Sequence, residues 1–397
     1  MRDHTKARLC AAMLVAVMVI LTACGGSAKK EEESKQADTA QQSVQAQSKE
    51  TQYVPAVHED GKLYVGVLQQ AGHEALEETA DGFEHHLKEL MGEDVVIDIR
   101  VADGTKDGCD KIMQQLLADN DDLIVAEGTA ALQSASEATK DVPIIGAAVT
   151  DFIVAGGVSS VDEPGGNVSG VSDLPPMVTQ KDAVRALAGD GSIGIIFDRN
   201  ERGARFQTEL MEKFMDDDGM DWTEYRFDGA GELESVLEKA CDECGTLYLP
   251  ADNTLAMNMS LVREISVRKG VKVFTAEKGM CLAGGLATIS VDYYELGVRA
   301  ADMAYDALVY GTEKGRSMYN IGDGEEDYED DEDEDRGDLS KTSIERVKDT
   351  AAGYYNPSVA EELDWMPTGE YTALEVESST DTDTTQESTE SDDTAVQ

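Results

Sequence analysis

The segment Lys62-Leu63-Tyr64-Val65-Gly66-Val67-Leu68 has the continuous apolar character of a strand that is buried within a parallel sheet. The spacing then changes to that of a helix, with apolar side chains at Leu76, Ala80, Phe83, Leu87 and Leu90. A buried strand followed by an amphipathic helix predicts one unit of a doubly wound sheet.

The same alternation continues outward from this unit in two series. The first series has further strands at 95–101, 123–126 and 143–148. The second has strands at 192–197, 222–227, 246–249, 272–276 and 285–290, and it ends in a long helix at 294–310. Two such series predict an α/β protein with two lobes, each a doubly wound parallel sheet. In these sheets ligands bind beyond the carboxyl ends of the strands.

The charge balance of the chain restricts its partners. Among 397 residues there are 81 Asp and Glu but 33 Lys and Arg, which gives a net charge of −48. Phosphates would be repelled by such a surface, so the composition excludes binding of nucleic acid or of anionic lipid headgroups through a basic face.

The N-terminus resembles a lipoprotein signal. Residues 1–23 read as a signal peptide, because a basic start is followed by a short apolar stretch. The tetrad Leu21-Thr22-Ala23-Cys24 resembles a bacterial lipobox, in which Cys24 is lipidated and becomes the first mature residue. The alternatives are an ordinary cleaved signal with a chance cysteine, or a short membrane anchor. Because two acyl chains anchor stably, we expect a lipid-anchored protein on the extracytoplasmic face of the cell membrane.

Three segments have too few large apolar residues to form a core. They are a disordered tether at 24–58, an acidic insertion at 317–338 and a disordered acidic tail at 368–397. The insertion contains 12 acids within 323–338. A calcium loop and a solvated acidic loop are the two interpretations, and the solvated loop is favoured because the glycine-paced spacing of calcium ligands is absent.

Short polar segments follow the strands of both series. A helix N-terminus that opens there suits a carboxylate, and Asp or Asn suits an ammonium or hydroxyl group. Each such residue is also an ordinary helix cap. Phe152 and Tyr293 could flank an aromatic or apolar part of a ligand, although packing within a lobe is an equal alternative for both.

Several motifs occur in a defined order along the chain. They are Gly66-Val67-Leu68-Gln69, Asp122-Leu123-Ile124-Val125-Ala126, Gly128-Thr129, Ala148-Val149-Thr150-Asp151, Pro164-Gly165-Gly166-Asn167-Val168-Ser169-Gly170-Val171-Ser172-Asp173, Pro250-Ala251-Asp252-Asn253-Thr254 and Asp292-Tyr293-Tyr294-Glu295-Leu296-Gly297. With these motifs the chain resembles the ABC-transporter substrate-binding lipoproteins that include tryptophan- and tyrosine-binding members. The resemblance covers about 60–312 and resumes near 341–366.

The resemblance implies a periplasmic-binding-protein fold of the ribose-receptor type, with two lobes joined by three hinge crossings and the ligand in the cleft. The N-terminal lobe would comprise 59–172 and 292–316, and the C-terminal lobe 173–291 and 339–367. The chain departs from the family pattern at Glu127, at Ala130, at 198–202 and at 290–291. Ligand identity is therefore not carried over, and whether Glu127 or Arg199 faces the ligand stays open.

Strand ends and resemblance together give one set of candidate ligand-binding residues. They are Gln69, His73, Gly128, Thr129, Ala130, Thr150, Asp151, Asp173, Asn200, Asp252, Asn253, Asp292 and Tyr293.

Other chemistry is not supported by the residues. Cys241 and Cys244 form a single CxxC motif, and the two further ligands that a zinc site needs are not nearby in sequence. The motif is therefore interpreted either as a local disulfide or as two ordinary thiols. We expect no metal, no cofactor and no enzymatic activity, and we rank a hydrolase using cleft Asp and Asn last among the functions considered.

The resemblance thus implies a receptor of an ABC importer, with a permease and an ATPase as partners, and we expect a monomer. The cleft would hold a small ligand by hinge closure. We expect an amino acid or a close derivative, with an aromatic side chain favoured and with a carboxylate on helix N-termini and an ammonium on Asp252 or Asp292. The alternatives are a nucleoside or sugar receptor, and a sensory or structural surface lipoprotein on the same fold.

Overall fold

The computed structural model describes residues 61–312 and 335–375. The predictions for the signal peptide, for Cys24, for the tether, for 317–334 of the acidic insertion and for 376–397 of the tail lie outside the described residues. Within the described ranges, no helix combines the length and apolarity that crossing a membrane requires.

The first series folds into a six-stranded parallel sheet with the strand order β11-β5-β4-β3-β1-β2. Its strands are β1 Leu63–Gln69, β2 Val95–Val101, β3 Leu123–Glu127, β4 Ile144–Ala147, β5 Val168–Ser172 and β11 Glu345–Arg346. The helices that follow them are α1 Glu74–Met91, α2 Lys106–Asp119, α3 Thr129–Ala138, α4 Phe152–Ala155 and α11 Tyr293–Val309. We call this sheet with its helices the first lobe.

Both faces of the first sheet are buried, which explains the continuous apolar strands. Leu63, Val65 and Val67 pack in the core that α1 and α11 cover. Leu68 and Ile124 point to the opposite core, where Met113 of α2 is fully buried.

Helices α1 and α11 pack backbone against backbone through a glycine on each. A side chain on Gly82 would collide with the carbonyl oxygen of Tyr294, and one on Gly297 would collide with the carbonyl oxygen of Thr79. Only glycine allows this approach, so the middle of α1 is held closely against the start of α11.

The second series forms a seven-stranded sheet with the strand order β13-β12-β10-β9-β8-β6-β7. Its strands are β6 Ile193–Asp198, β7 Trp222–Phe227, β8 Thr246–Leu249, β9 Lys272–Thr275, β10 Ala287–Ser290, β12 Ala352–Tyr355 and β13 Thr372–Ala373. Strand β12 runs antiparallel to β10, and the other pairs are parallel. Its helices are α5 Met177–Ala188, α6 Arg202–Asp217, α7 Ala230–Glu243, α8 Asn253–Ala256, α9 Met259–Lys269, α10 Lys278–Ala283 and α12 Pro357–Glu362. We call this unit the second lobe.

The chain passes between the two sheets three times, after β5, after β10 and after β11. The predicted α/β class with two mostly parallel, doubly wound sheets is confirmed. The predicted cap at Asn356 is confirmed as well, because its side chain accepts hydrogen bonds from the first N–H groups of α12.

Two predicted boundaries are wrong at their edges. Residues 339–347 were assigned to the C-terminal lobe, but β11 pairs with β5, and Leu339 and Val347 pack in the core of the first lobe. The start of the predicted disordered tail is ordered, because β13 pairs with β12 and Tyr371 packs edge-to-face on Trp365. Aromatic burial outweighs the polar composition there.

Candidate functional site

A cavity of about 30 Å³ lies between the lobes, beyond the carboxyl ends of strands from both sheets. A buried water needs about 10–15 Å³ of such space, so the cavity has room for only a few waters, and the two lobes are closed on one another. Its walls are formed by His73, Leu76, Gly128, Thr129, Ala148, Thr150, Asp173, Glu201, Gly203, Ala251, Asp252, Asn253, Glu277 and Tyr293.

On the first lobe, α3 begins at the cavity. Its N-cap is Gly128, which has a φ of 98° and offers no side chain to cap the helix. A Cβ atom at Gly128 would lie 2.6 Å from Oε1 of Gln70, and that same oxygen accepts a hydrogen bond of 2.8 Å from the N–H of Ala130. The glycine therefore allows Gln70 to cross the start of α3, and the N–H group of Thr129 is left close to the cavity.

On the second lobe, the longer helix α6 also begins at the cavity. Glu201 is its N-cap residue and its side chain makes no capping bond. A Cβ atom at Gly203 would lie 2.8 Å from Oγ1 of Thr129 and 3.0 Å from Oγ1 of Thr150. The first turn of α6 thus reaches across to the first lobe, and the N-termini of α3 and α6 meet at one place. Both carry partial positive charge, which suits an anion.

A network of side chains joins the lobes across the cleft. His73 Nε2 lies 2.8 Å from Oδ1 of Asn253, and the amide of Asn253 donates to Glu201 Oε2 at 3.2 Å. Gln70 Nε2 donates to the same carboxylate oxygen at 3.2 Å. Further out, Lys278 of the second lobe pairs with Glu78 of α1 at 2.7 Å. These contacts hold the lobes in the closed arrangement.

Two acids and a tyrosine meet where the chain crosses between the lobes. The hydroxyl of Tyr293 donates to Oδ2 of Asp173 at 3.3 Å, and Glu277 lines the same cavity. All three side chains are buried. Oδ1 of Asp173 has no hydrogen-bond partner among the described residues, although Asp173 lines the cavity.

The cavity wall is acidic. It contains four carboxyl groups and, among the described residues, neither Lys nor Arg. Burial raises the pKa of Asp173 to about 6, that of Asp252 to about 7, and those of Glu201 and Glu277 to about 8. Burial lowers the pKa of His73, so its imidazole is neutral at neutral pH. The site therefore favours a ligand that brings a positive charge or several hydrogen-bond donors.

Eight of the thirteen predicted site residues form the cavity wall: His73, Gly128, Thr129, Thr150, Asp173, Asp252, Asn253 and Tyr293. Of these, Asp252 has both carboxylate oxygens occupied by backbone N–H groups. Oδ1 accepts from Leu255 at 2.9 Å and Oδ2 from Asp198 at 2.7 Å. Its main role is to cap α8 and to bond the end of β6, so neither carboxylate oxygen is free of a partner when an ammonium group would need an acceptor.

The structure places the other five outside the wall. Gln69 is buried in the sheet and donates to the carbonyl oxygen of Ala71, and Ala130 lies one residue behind the wall in α3. Asp151 caps α4 through a bond of 3.2 Å from Val154 N–H. Asn200 is exposed and turns back to Asp198. In each case the side chain that the sequence suggested as a ligand contact instead bonds to the local backbone or packs within its own lobe.

The prediction for Asp292 is wrong in the same way. This residue is exposed, its Oδ1 accepts a bond of 3.1 Å from Glu295 N–H, and its own N–H donates to Thr350. It caps α11 on the outside of the hinge, whereas the following residue, Tyr293, points inward.

Three further side chains are now located. Phe152 packs into the core beneath α3, away from the cavity, so it does not flank a ligand. Arg199 is half exposed and pairs with Asp228 at 3.1 Å. Glu127 lies on the same face of β3 as Val125, inside the core under α1 and α11, with no hydrogen-bond partner for either oxygen among the described residues. Burial raises the pKa of Glu127 well above its usual range.

The sequence reasoning missed four polar or conformational features of the site: Gln70, Glu201, Gly203 and Glu277. Glu201 and Gly203 open α6 after β6, so the rule applied to the other strand ends would have found them. Glu277 follows β9 and opens α10 in the same way.

Among the described residues, no group of three or more His, Cys, Asp or Glu is arranged to hold a metal ion. Cys109, Cys241, Cys244 and Cys281 are buried free thiols. The pair Cys241 and Cys244 is therefore not joined by a disulfide in this structure.

The sequence matches a known family over residues 64–318, more than half of the chain. That family is described as ABC transporter substrate binding protein. A relative, the tyrosine-binding protein of Clostridioides difficile (strain R20291), is 29% identical over 261 residues, which cover 65% of this chain and 74% of the relative.

Two solved structures are similar to this one. An ABC domain in complex with L-Trp from Streptococcus pneumoniae aligns with a TM-score of 0.65 at 25% identity, over 76% of this chain and 95% of that chain. The ligand-free, open structure of a substrate-binding protein with adhesive properties from Clostridium difficile aligns with a TM-score of 0.56 at 25% identity, over 79% of this chain and 99% of that chain.

Proposed function

Because the chain belongs to the ABC transporter substrate-binding protein family, we propose that it captures an amino acid outside the cytoplasm and delivers it to the permease of an ABC importer. The observation that carries the ligand class is the pairing of opposite polarities in one buried cavity. The N-termini of α3 and α6 meet at one wall, and another wall contains Asp173, whose Oδ1 has no hydrogen-bond partner among the described residues.

A zwitterion satisfies both walls. Its carboxylate accepts hydrogen bonds from the N–H groups that open α3 and α6, near Thr129 and Gly203. Its ammonium group donates to Asp173, which takes the role that the sequence had given to Asp252 and Asp292. This assignment keeps the predicted ligand and corrects the acid that receives it.

The side chain of the ligand is proposed to be aromatic. The relatives bind tyrosine and tryptophan, according to the name of one and the bound ligand of the other. The apolar groups on this wall are Leu76, Ala148 and Ala251, together with the ring of Tyr293. These surfaces would pack against an aromatic side chain once the lobes open far enough to admit it.

Capture is proposed to occur by hinge closure. The three crossings between the sheets and the hydrogen bonds from His73 and Gln70 to the second lobe support a closed state that differs from an open one by rotation of the lobes. The lobes would close on the bound ligand less far than in this structure, and that loaded form would be the one that the permease receives.

The site is tested by calorimetric titration of the mature protein with L-tryptophan and L-tyrosine, alongside tryptamine and N-acetyl-L-tryptophan. Tryptamine lacks the carboxylate and N-acetyl-L-tryptophan lacks the ammonium group, so each should bind more than about tenfold more weakly than L-tryptophan. Asp173→Asn should weaken binding of L-tryptophan to a similar extent, with thermal unfolding as a check that the variant folds. Equal affinities for the three tryptophan-related ligands would refute the zwitterion assignment.

We also propose that the protein is anchored through lipid on Cys24, which precedes the described residues. The support is the Leu21-Thr22-Ala23-Cys24 tetrad after an apolar stretch. Cys24→Ala should move the protein from the membrane fraction to the soluble fraction, whereas Cys10→Ala, within the apolar stretch, should leave it in membranes. A Cys24→Ala protein that stays with membranes would contradict lipidation at this residue.

A further inference from the structure

The hinge cluster of Asp173, Tyr293 and Glu277 contains more acceptors than donors. Its single hydroxyl proton, on Tyr293, is directed to Oδ2 of Asp173 at 3.3 Å. Glu277 lines the same small cavity as Tyr293 and Asp173, and its charge acts on both groups. A phenol has one proton to donate, so it cannot satisfy two carboxylates at once.

The second carboxyl group must then contribute a proton of its own. If Glu277 is protonated, it donates to the Tyr293 oxygen while Tyr293 donates to Asp173, and the chain of hydrogen bonds is complete. If both acids were ionised, two like charges would share a buried site with one hydroxyl between them, which is strongly unfavourable. Glu277 is only 3% exposed and Asp173 5%, so water does not relieve this.

Within the part of the chain that the structure describes, the surroundings offer no free cation to replace that proton. Lys278, next to Glu277, is engaged by Glu78 at 2.7 Å. Burial raises the pKa of Glu277 to about 8, and the charges of Asp173, Glu74 and Glu78 act in the same direction. The charged and titratable groups around the cluster are His73, Glu74 and Glu78 from the first lobe and Glu201, Asp252 and Lys278 from the second.

We propose that the Asp173–Tyr293–Glu277 cluster is the ammonium subsite and that it holds a proton which the ligand's ammonium group replaces, so that capture releases one proton to water. The proposal rests on the proposed function, because it requires a ligand with an ammonium group. The exchange is balanced: one N–H of the ammonium donates to Oδ1 of Asp173 and another to Glu277, and the proton of Glu277 leaves before the cleft closes. A primary ammonium group, with three donors, fits this task, and a blocked or quaternary amine does not.

The first test measures protons released on binding. Wild-type protein is titrated with L-tryptophan and with L-tyrosine at pH 7 in phosphate and in Tris, whose ionisation enthalpies differ, so that the difference in heat counts protons. We expect about one proton released per ligand, and an association constant that rises up to about tenfold per pH unit as pH approaches 8. Glu277→Gln should remove the release and flatten the pH dependence. Glu84→Gln, a matched change on α1 at a residue that pairs with Lys88 outside the cleft, should leave the release unchanged.

Binding without proton release, or equal release from Glu277→Gln and wild type, would overturn the proposal and leave amino-acid binding intact. Absence of binding by both amino acids would instead count against the proposed function. The proton is then sought in the ligand-free protein by infrared difference spectroscopy. A band of a protonated carboxylic acid at neutral pH that disappears in Glu277→Gln supports the cluster, and a wild-type spectrum without that band overturns it.

Discussion

Asn253 is the residue through which the second lobe holds His73 of the first, and its removal should open the cleft. Its Oδ1 lies 2.8 Å from Nε2 of His73, and its amide donates to Glu201 at 3.2 Å. Asn253→Ala removes both bonds, of which the first crosses between the lobes. It also leaves the buried imidazole without its partner, while Glu201 keeps the bond from Gln70.

The magnitude follows from these contacts. A net hydrogen bond contributes about 0.5–1.5 kcal/mol, and leaving a buried polar group unpaired costs about 1–3 kcal/mol. We therefore expect the closed state to lose about 1–3 kcal/mol relative to the open state, which corresponds to roughly 5–150-fold in the equilibrium between them. Because the cavity of this closed state is too small for an amino acid, a ligand binds only after the lobes open, and its affinity should rise by up to the same factor.

Small-angle X-ray scattering of the ligand-free protein measures the opening, and calorimetry with L-tryptophan measures the affinity. Asn258→Ala is the matched control. Its side chain donates to the carbonyl oxygen of Thr254 at 2.7 Å within the second lobe and does not bond to the first lobe. An Asn253→Ala protein with the scattering profile and affinity of Asn258→Ala would refute the idea that this contact holds the cleft closed.

Three further predictions concern the acids. Asp292→Ala should lower the free energy of unfolding by about 1 kcal/mol in urea titrations, because a helix cap is lost, but should leave L-tryptophan affinity unchanged. The second prediction concerns four buried acids whose pKa values are raised in the folded state: Asp173, Asp252, Glu201 and Glu277. Their protonated forms stabilise the fold fully below the unfolded-state pKa of about 4, and this stabilisation is lost as the pH rises through the folded-state pKa values of about 6 to 8. The free energy of unfolding should fall by at most about 1.4 kcal/mol per pH unit for each titrating group, and a flat profile between pH 5 and 9 would contradict this. Glu127→Leu should raise the free energy of unfolding by about 1–3 kcal/mol, since it removes a buried carboxyl group without partners, and a lower melting temperature would show that the carboxyl has a partner after all.

Apolar periodicity was sufficient to predict the parallel sheets. The inner strands β1, β3, β4 and β6 are nearly continuous apolar runs because helices cover both faces, so the pattern is strong even without alignment to other sequences. Strand β5 was not identified from its own pattern, since Val168-Ser169-Gly170-Val171-Ser172 is short and contains polar residues. Its burial depends on β4 on one side and the distant β11 on the other, which is a tertiary effect that local pattern does not contain.

The candidate site was predicted less completely, for a physical reason. Asp and Asn at strand ends serve equally well as helix caps and as ligand contacts, and the sequence does not distinguish them. Asp292 and Tyr293 illustrate this, because adjacent residues at one helix start point to opposite sides of the hinge. Glu277 could be assigned a role only once the structure brought it to Tyr293, from a different strand end.

The glycine contact between α1 and α11 determines which parts of the site can be redesigned. Tyr293 begins α11, and Leu76 lies in the first turn of α1. The close contact at Gly82 and Gly297 makes these two helices one rigid unit. Both residues therefore keep their mutual distance when the lobes rotate. A protein engineer who wishes to change the ligand of this protein, or to turn it into a fluorescent sensor, should diversify cavity positions of the second lobe such as Ala251. Positions of the second lobe move relative to the rigid pair of α1 and α11 when the lobes rotate. A larger residue at Gly82 would instead push these two helices apart and displace Tyr293 and Leu76.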